Sequence, residues 1–373
     1  MNTRKFIVFL FLFVVHFLLL IKLNFFAKYV SGNEEFLDFD SYYKLSSDIR
    51  IGKNPYRVDY MKTLGPPLVF VYYLPFSFLN LNTARVLNSW INISPGYILC
   101  YFLAGAFNKK YKNEVFLFLG TLLFSSFPTR LSLGLGQPIL LITLLIGAAL
   151  TERNKSRSGI FLSVASSIKT FLIFSYLSLL TKRKRILYVT LFCTLFLILL
   201  SFLFVKPEYY LFYLKEEFLK LLTNGVIGLD YYNQSFKSTF HRLFLENIYQ
   251  IVYYPVLFIT SIYIVLSASL EFGIIVSLLL SPISWQHYYV ILFPVYVLYF
   301  KNIIKSGKVP LFILFILSIL LWWIEFPFLH KAEVSILNGL LASHYFFAGF
   351  LLTLIIFIIR RYNHKGGIFE GRN

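Results

Sequence analysis

Acid is scarce in this chain. Only 17 Asp and Glu stand among its 373 residues, against 35 Lys and Arg, so a carboxylate in an unusual place asks for a chemical reason. Cysteine is rarer still. Cys100 and Cys193 lie far apart inside apolar runs, which excludes a disulfide framework or a thiolate metal site and leaves both as small core hydrophobes. No internal repeat is present, and the two longest polar segments, 27–65 and 206–247, are too short to fold around a sizeable core of their own. The expectation is a single integral-membrane domain over residues 1–373, with no soluble domain attached.

What fills the chain is hydrocarbon. Hydrophobic residues make up 58%, aromatic residues 20% and charged residues 14%, with a mean hydropathy of +0.71, which identifies an all-α polytopic membrane protein. A basic start, Arg4-Lys5, precedes an apolar run from Phe6 to Phe26. At about 20 residues that run is long enough to span, and no small-residue cleavage site follows it, so it reads as a retained first helix rather than a secretory signal.

The net charge of +18 is distributed in short connectors: Arg4-Lys5, Lys109 to Lys112, Arg153 to Arg157, Lys182 to Arg185, Lys301 to Lys308, and Arg360-Arg361. By the positive-inside rule these face the cytoplasm. The basic charge therefore sets topology and meets anionic membrane lipids rather than nucleic acid. The expected placement is the inner (plasma) membrane, multi-pass, with the N-terminus cytoplasmic and the loops 27–65 and 206–247 outside.

Threading the apolar runs on this basis gives roughly 10 to 13 spans. Pro66 to Phe107 admits two threadings, one with two crossings and one in which Ser94-Pro95-Gly96 breaks the second stretch into two short helices. Between Arg157 and Lys182 the chain is short, and two short helices meeting near Ile168-Lys169-Thr170 are expected there. A lysine at that depth costs ~3 kcal/mol unless it lines a wet cavity. Both external loops carry amphipathic segments, Tyr42 to Ile49 and Tyr209 to Leu222, which suit the interface plane, either as struts between spans or as walls of a lipid-substrate groove.

The polar residues that interrupt these runs are the candidate chemistry. Asp38 and Asp40 open the first loop; on a strand they share a face, on a helix they diverge, and Asp40 or Ser41 could cap a helix running through Tyr43. Gly134-Leu135-Gly136-Gln137-Pro138 sets a turn and an amide at the mouth of a helix, whose N-terminal amides suit an anion. Lys169 is the best candidate to hold a phosphate, snorkelling being the structural alternative. In the second loop Asn233-Gln234-Ser235 is followed by Arg242, suited to bidentate phosphate contact. Ser281-Pro282-Ile283-Ser284-Trp285-Gln286-His287 places Trp285 as a sugar platform or interfacial anchor beside a hydrogen-bonding Gln286 and a proton-transferring His287.

Taken in order, the acid motif with Tyr42, Asn54-Pro55-Tyr56, Pro66-Pro67-Leu68, Gly136-Gln137, Ile168-Lys169, Asn233-Gln234-Ser235 with Arg242, and the Ser281 to His287 segment resemble glycosyltransferase family 87. The resemblance covers roughly residues 6 to 300, and it rests on the order and sidedness of motifs that are individually unspecific. It implies a GT-C-like fold and transfer of a hexose, mannose-like, from a polyprenyl-phosphate donor to a lipid or glycan acceptor on the extracytoplasmic face. It assigns Asp38, ahead of Asp40, and His287 to catalysis and Lys169 and Arg242 to the donor phosphate. Tyr42, Gln137, Asn233, Gln234, Trp285 and Gln286 would contact substrate. No metal or cofactor enters the scheme. Thr170 stands where the family often has proline, and His287-Tyr288 where it usually has a histidine pair. A lipid-linked-sugar flippase or an O-antigen-type polymerase or ligase is the competing class. A flippase should show repeated halves, and a ligase more arginine in the second loop.

Overall fold

The computed structural model describes residues 3–31, 35–58, 65–218, 231–326 and 335–366, so residues 219–222 of the second amphipathic segment lie outside the described residues. Helices account for the architecture, and no strand occurs among the described residues. In chain order the first twelve are α1 (Thr3–Lys22), α2 (Phe25–Tyr29), α3 (Leu37–Arg50), α4 (Leu68–Tyr73), α5 (Leu81–Phe107), α6 (Lys112–Ser125), α7 (Phe127–Leu135), α8 (Ile139–Thr151), α9 (Lys155–Ile168), α10 (Ile173–Leu177), α11 (Lys184–Ser201) and α12 (Pro207–Phe212). The later ones are Phe236–Arg242, Glu246–Ser267, Leu270–Leu280, Leu292–Ser306, Val309–Trp323, Ile336–Ala342 and His344–Gly366.

Among the described residues, six helices are long and apolar enough to cross a membrane, or up to seven if the pair α6 and α7, bent by 66°, counts as one broken span. Four shorter apolar helices accompany them. The chain is thus an all-α polytopic membrane protein. Burial sorts these helices into two kinds. Only 11% of the span in α1 and 6% of that in Asn247–Ser267 is buried, against 72% of Gln286–Ser306, so the first two turn their Phe, Leu and Ile toward lipid while the last is the central pillar. Lipid replaces protein as the apolar solvent on the outer faces, which is why the exposed Phe11, Phe192 and Ile251 need no partner.

The stretch Pro66 to Phe107 divides where the first threading divides it, and the break at Ser94-Pro95-Gly96 of the second does not occur. Residues 68–78 form a short helical piece, α4 and a tight 3-10 turn, and α5 then runs unbroken through Pro95. Pro95 removes one backbone donor without ending the helix, which neighbouring helices make tolerable. Gly96 serves packing instead of turning, since a Cβ there would stand 2.8 Å from Phe124 Cζ on α6. The break falls before α5, at Asn80, whose side chain accepts a hydrogen bond from Thr83 N at 2.9 Å and caps the helix.

The first loop is also more ordered than an interfacial strut requires. Helix α3 begins at Leu37 with no side-chain cap, so neither Asp40 nor Ser41 caps it, and its apolar face (Phe39, Tyr42, Leu45, Ile49) is buried in protein rather than lipid. Residues two apart on a helix point about 200° apart. Asp38 and Asp40 therefore diverge, and Asp40 turns to Arg85 of α5, which donates through Nε to Oδ1 at 2.9 Å and through Nη2 to Oδ2.

That pair decides how α3 sits. Its side chains are only 10% and 15% exposed, and losing one partner of a buried bidentate pair costs about 3 kcal/mol, whereas Lys53–Asp48, with its lysine 62% exposed, contributes little. Arg85→Leu should lower the unfolding temperature in detergent clearly, and Lys53→Leu should leave it unchanged; equal melting of the two variants would refute the ranking.

Candidate active site

Four separated segments meet around Asp38. The first is α3, whose opening turn carries it. The second is the turn after α7. Gly136, at φ +69°, ends that helix, with Gly136 N–H on Leu133 O and Gln137 N–H on Ser132 O, both at 3.1 Å. This pairing closes a helix through a left-handed glycine. Any Cβ at Gly136 would lie 2.6 Å from Phe39 Cβ, so the same glycine lets α3 press against the turn. Gln137, delivered by it and only 5% exposed, donates its Nε2 to Asp38 Oδ2.

The third segment is the break after α9. The helix stops at Ile168, Lys169 is extended (φ −136°, ψ 109°), and a 3-10 turn follows from Thr170, as the two-short-helix reading of this stretch expects. Lys169 Nζ donates to Tyr288 Oη at 3.2 Å and stands 4.9 Å from the centre of that ring. The fourth is the 3-10 turn Gln286–Ile291. Consecutive residues of such a turn point about 120° apart, so His287 and Tyr288 reach opposite flanks: His287 Nε2 lies 3.2 Å from Gln137 Oε1, while Tyr288 meets Lys169.

Stacked rings wall the polar groups. Tyr42 lies on Tyr73 at 4.5 Å and 1°, and Phe171 on Tyr288 at 4.9 Å and 15°. Tyr42, Tyr288 and His287 are buried, whereas Asp38 and Lys169 are half-buried, so the anion and the cation are the groups that solvent or a ligand can reach. Burial raises the Asp38 carboxyl above its ordinary value; the Gln137 hydrogen bond and the Lys169 charge draw it part of the way back. Such a carboxyl can be both a base and, after proton uptake, a stable acid.

The other sequence candidates are engaged with other partners. Asp40 is committed to Arg85. Asn233, Gln234 and Gln286 are at most 1% exposed and hold backbone. Gln234 Nε2 donates to Tyr231 O (2.8 Å) and Ala342 O (2.7 Å), Gln286 Nε2 to Tyr231 O (3.0 Å), and Asn233 Oδ1 accepts from Ser284 N (2.9 Å). With an antiparallel bridge between Asn233 and Trp285, they clamp the second loop to the segment that carries His287, a role that requires the same amides a ligand would. Trp285 is half-buried on that bridge. Arg242 donates to Asn233 O (2.7 Å), Ser238 Oγ (2.8 Å) and Ser343 Oγ (2.9 Å); none of these bonds is to Asp38 or Lys169. Sequence reasoning passed over Arg85 and Tyr73, and singled out Tyr288 only as a departure from the family's histidine pair. Arg85 had a usable signal, since it is a charge inside an apolar run, as Lys169 is. Among the described residues no group of three His, Cys, Asp or Glu is placed to hold a metal ion.

A family model described as glycosyltransferase family 87 matches residues 64–298. The matched span contains Gln137, Lys169, Arg242 and His287 and begins after Asp38. No curated protein and no solved structure matches the chain. Because the match covers more than half of the 373 residues and contains three of the four segments that converge on the half-buried carboxylate, this chain belongs to glycosyltransferase family 87 and is a membrane glycosyltransferase.

Proposed function

We propose that this enzyme moves a hexose, mannose-like, from a polyprenyl-phosphate donor to a hydroxyl of a lipid or glycan acceptor, on the extracytoplasmic face of the plasma membrane and on a GT-C-like scaffold. The observation that carries the reading is a half-buried carboxylate facing a half-buried ammonium within aromatic walls. In the reaction the acceptor oxygen attacks C1 of the sugar while its proton passes to Asp38. The C1–O bond to phosphate breaks, and its electron pair stays on the phosphate oxygen. The leaving phosphomonoester gains one negative charge, which the Lys169 ammonium stabilises as it develops. Aromatic faces suit both the apolar face of a sugar and the first isoprene units.

The positions of the remaining residues support a division of labour. Lys169 carries the phosphate role, while Arg242, engaged by Asn233, Ser238 and Ser343, stiffens the loop. Asp40 holds α3 through Arg85. Sidedness follows the placement of basic connectors: with Cys100 and Cys193 replaced, a cysteine at Lys110 should label with a membrane-impermeant maleimide only after the cytoplasmic side is opened, and one at Lys206 in intact cells. The reverse pattern would invert the site.

Purified protein in nanodiscs, offered polyprenyl-phosphate mannose, glucose or arabinose, should transfer or slowly hydrolyse one of them. Absence of both turnover and donor binding would overturn the reading in favour of a flippase or ligase. Lys169→Met should cut turnover about 10²–10³-fold, the usual cost of one charge-stabilising donor, and weaken inhibition by polyprenyl phosphate. The same change removes a charge that lowers the Asp38 carboxyl, so the acidic limb of the residual activity should move to higher pH. An acidic limb that stays in place would exclude Asp38 as the titrating base.

A further inference from the structure

His287 and Gln137 were both expected to meet substrate or carry protons, yet the hydrogen bond between them and the one from Gln137 to Asp38 define another task. Asp38 as a base is a carboxylate and only accepts. Gln137 must then present its Nε2 to Oδ2, which leaves Oε1 toward His287. An amide oxygen also only accepts, so His287 Nε2 must carry a hydrogen. The tautomer of His287 is thereby set from the far end of the chain of contacts, in the way outer partners set metal-bound or triad histidines.

We propose that His287 is a positioning residue, an Nε2–H donor that orients Gln137 and through it Asp38, and that it neither accepts the acceptor's proton nor relays it from Asp38. This rests on Asp38 being the base of the transfer reaction. A proton taken up by Asp38 cannot pass through the Gln137 amide without converting it to an imidic acid, and the nitrogen at the far end is already protonated. The proton leaves instead by the half-exposed edge of Asp38. Packing supports a fixed ring: His287 is 3% exposed and stands edge-on to Tyr288 at 4.6 Å and 82°, and Tyr288 is itself held by Phe171 and Lys169. The Gln137 end is fixed by the Gly136 turn.

The test is replacement by glutamine, whose amide can supply the Nε2–H donor but cannot take a proton near neutral pH. His287→Gln should keep kcat within about tenfold of wild type, while His287→Ala should lose about 100-fold, the cost of a misplaced reacting group. Donor KM should stay unchanged in both. The groups near the Asp38 carboxyl are Lys169, Tyr42, Tyr73 and Tyr288, with His287 behind Gln137, so His287→Gln should retain the acidic limb set by Asp38 in the pH profile. A second readout is nitrogen NMR of histidine-labelled protein: among the described residues three rings are buried, those of His16, His287 and His344, and the signal that disappears in His287→Gln should be protonated at Nε2 and bare at Nδ1. Equal loss in the glutamine and alanine variants, or a His287 ring protonated only at Nδ1, would overturn the proposal while leaving transfer by the wild type intact. Absence of transfer by the wild type would instead remove the functional reading beneath it.

Discussion

In the proposed reaction, everything at the centre of this protein depends on keeping one carboxylate ionisable in a place that disfavours charge. Asp38 is half out of water, and the cost is offset by a neutral amide on one oxygen and an ammonium nearby. Neither partner could be replaced by the other. A second cation in Gln137's place would lock Asp38 as a permanent ion pair, and in the proposed reaction an amide in Lys169's place would leave the leaving phosphate without a counter-charge. The protein meets both demands by drawing each partner from a different break in a helix: a left-handed glycine turn for Gln137 and an extended residue between two short helices for Lys169.

The surrounding fold follows from that requirement. Irregular backbone within a membrane protein is tolerated where it is buried in protein or lines a wet cavity, and the breaks at Gly136 and Lys169 and the 3-10 turn at 286–291 converge on the same place. The helices with lipid-facing surfaces, α1, α11 and 246–267, are long and regular by comparison. The amide clamp of Asn233, Gln234 and Gln286 binds the second loop to the turn carrying His287, so hydrogen bonds fix that side of the site. The bidentate Asp40–Arg85 pair performs the corresponding task for α3.

Much of this was legible in the sequence, and the limits are instructive. Composition and the lengths of apolar runs identified an all-helical membrane protein, because hydrocarbon leaves so few ways to satisfy backbone groups. Asp38, Gln137, Lys169 and His287 were each conspicuous as polar groups where apolar ones were expected, but their meeting depends on the orientation of α3, which no local pattern encodes. The fork between strand and helix at Asp38 and Asp40 is the clearest case: one geometry pairs the acids, the other parts them, and only the burial of Phe39, Tyr42 and Leu45 against the protein selects the helix. The buried amides are ambiguous in sequence for a different reason. A side chain that clamps backbone and one that holds a sugar hydroxyl have the same chemistry, and sequence does not say which partner is present. At Pro95-Gly96 the local signal for a break was overridden by close packing of α5 on α6.

The most direct test of the account is the single-turnover rate of Asp38→Asn with the donor that the wild type uses, measured beside donor affinity. Asparagine keeps the shape and can still meet Gln137 but cannot accept a proton. The account predicts donor binding preserved within about threefold and transfer reduced about 10²–10⁴-fold, the range of a lost general base. Transfer by Asp38→Asn at close to the wild-type rate would contradict it, because the proton would then have another destination and the convergence on Asp38 would have to be read as structural.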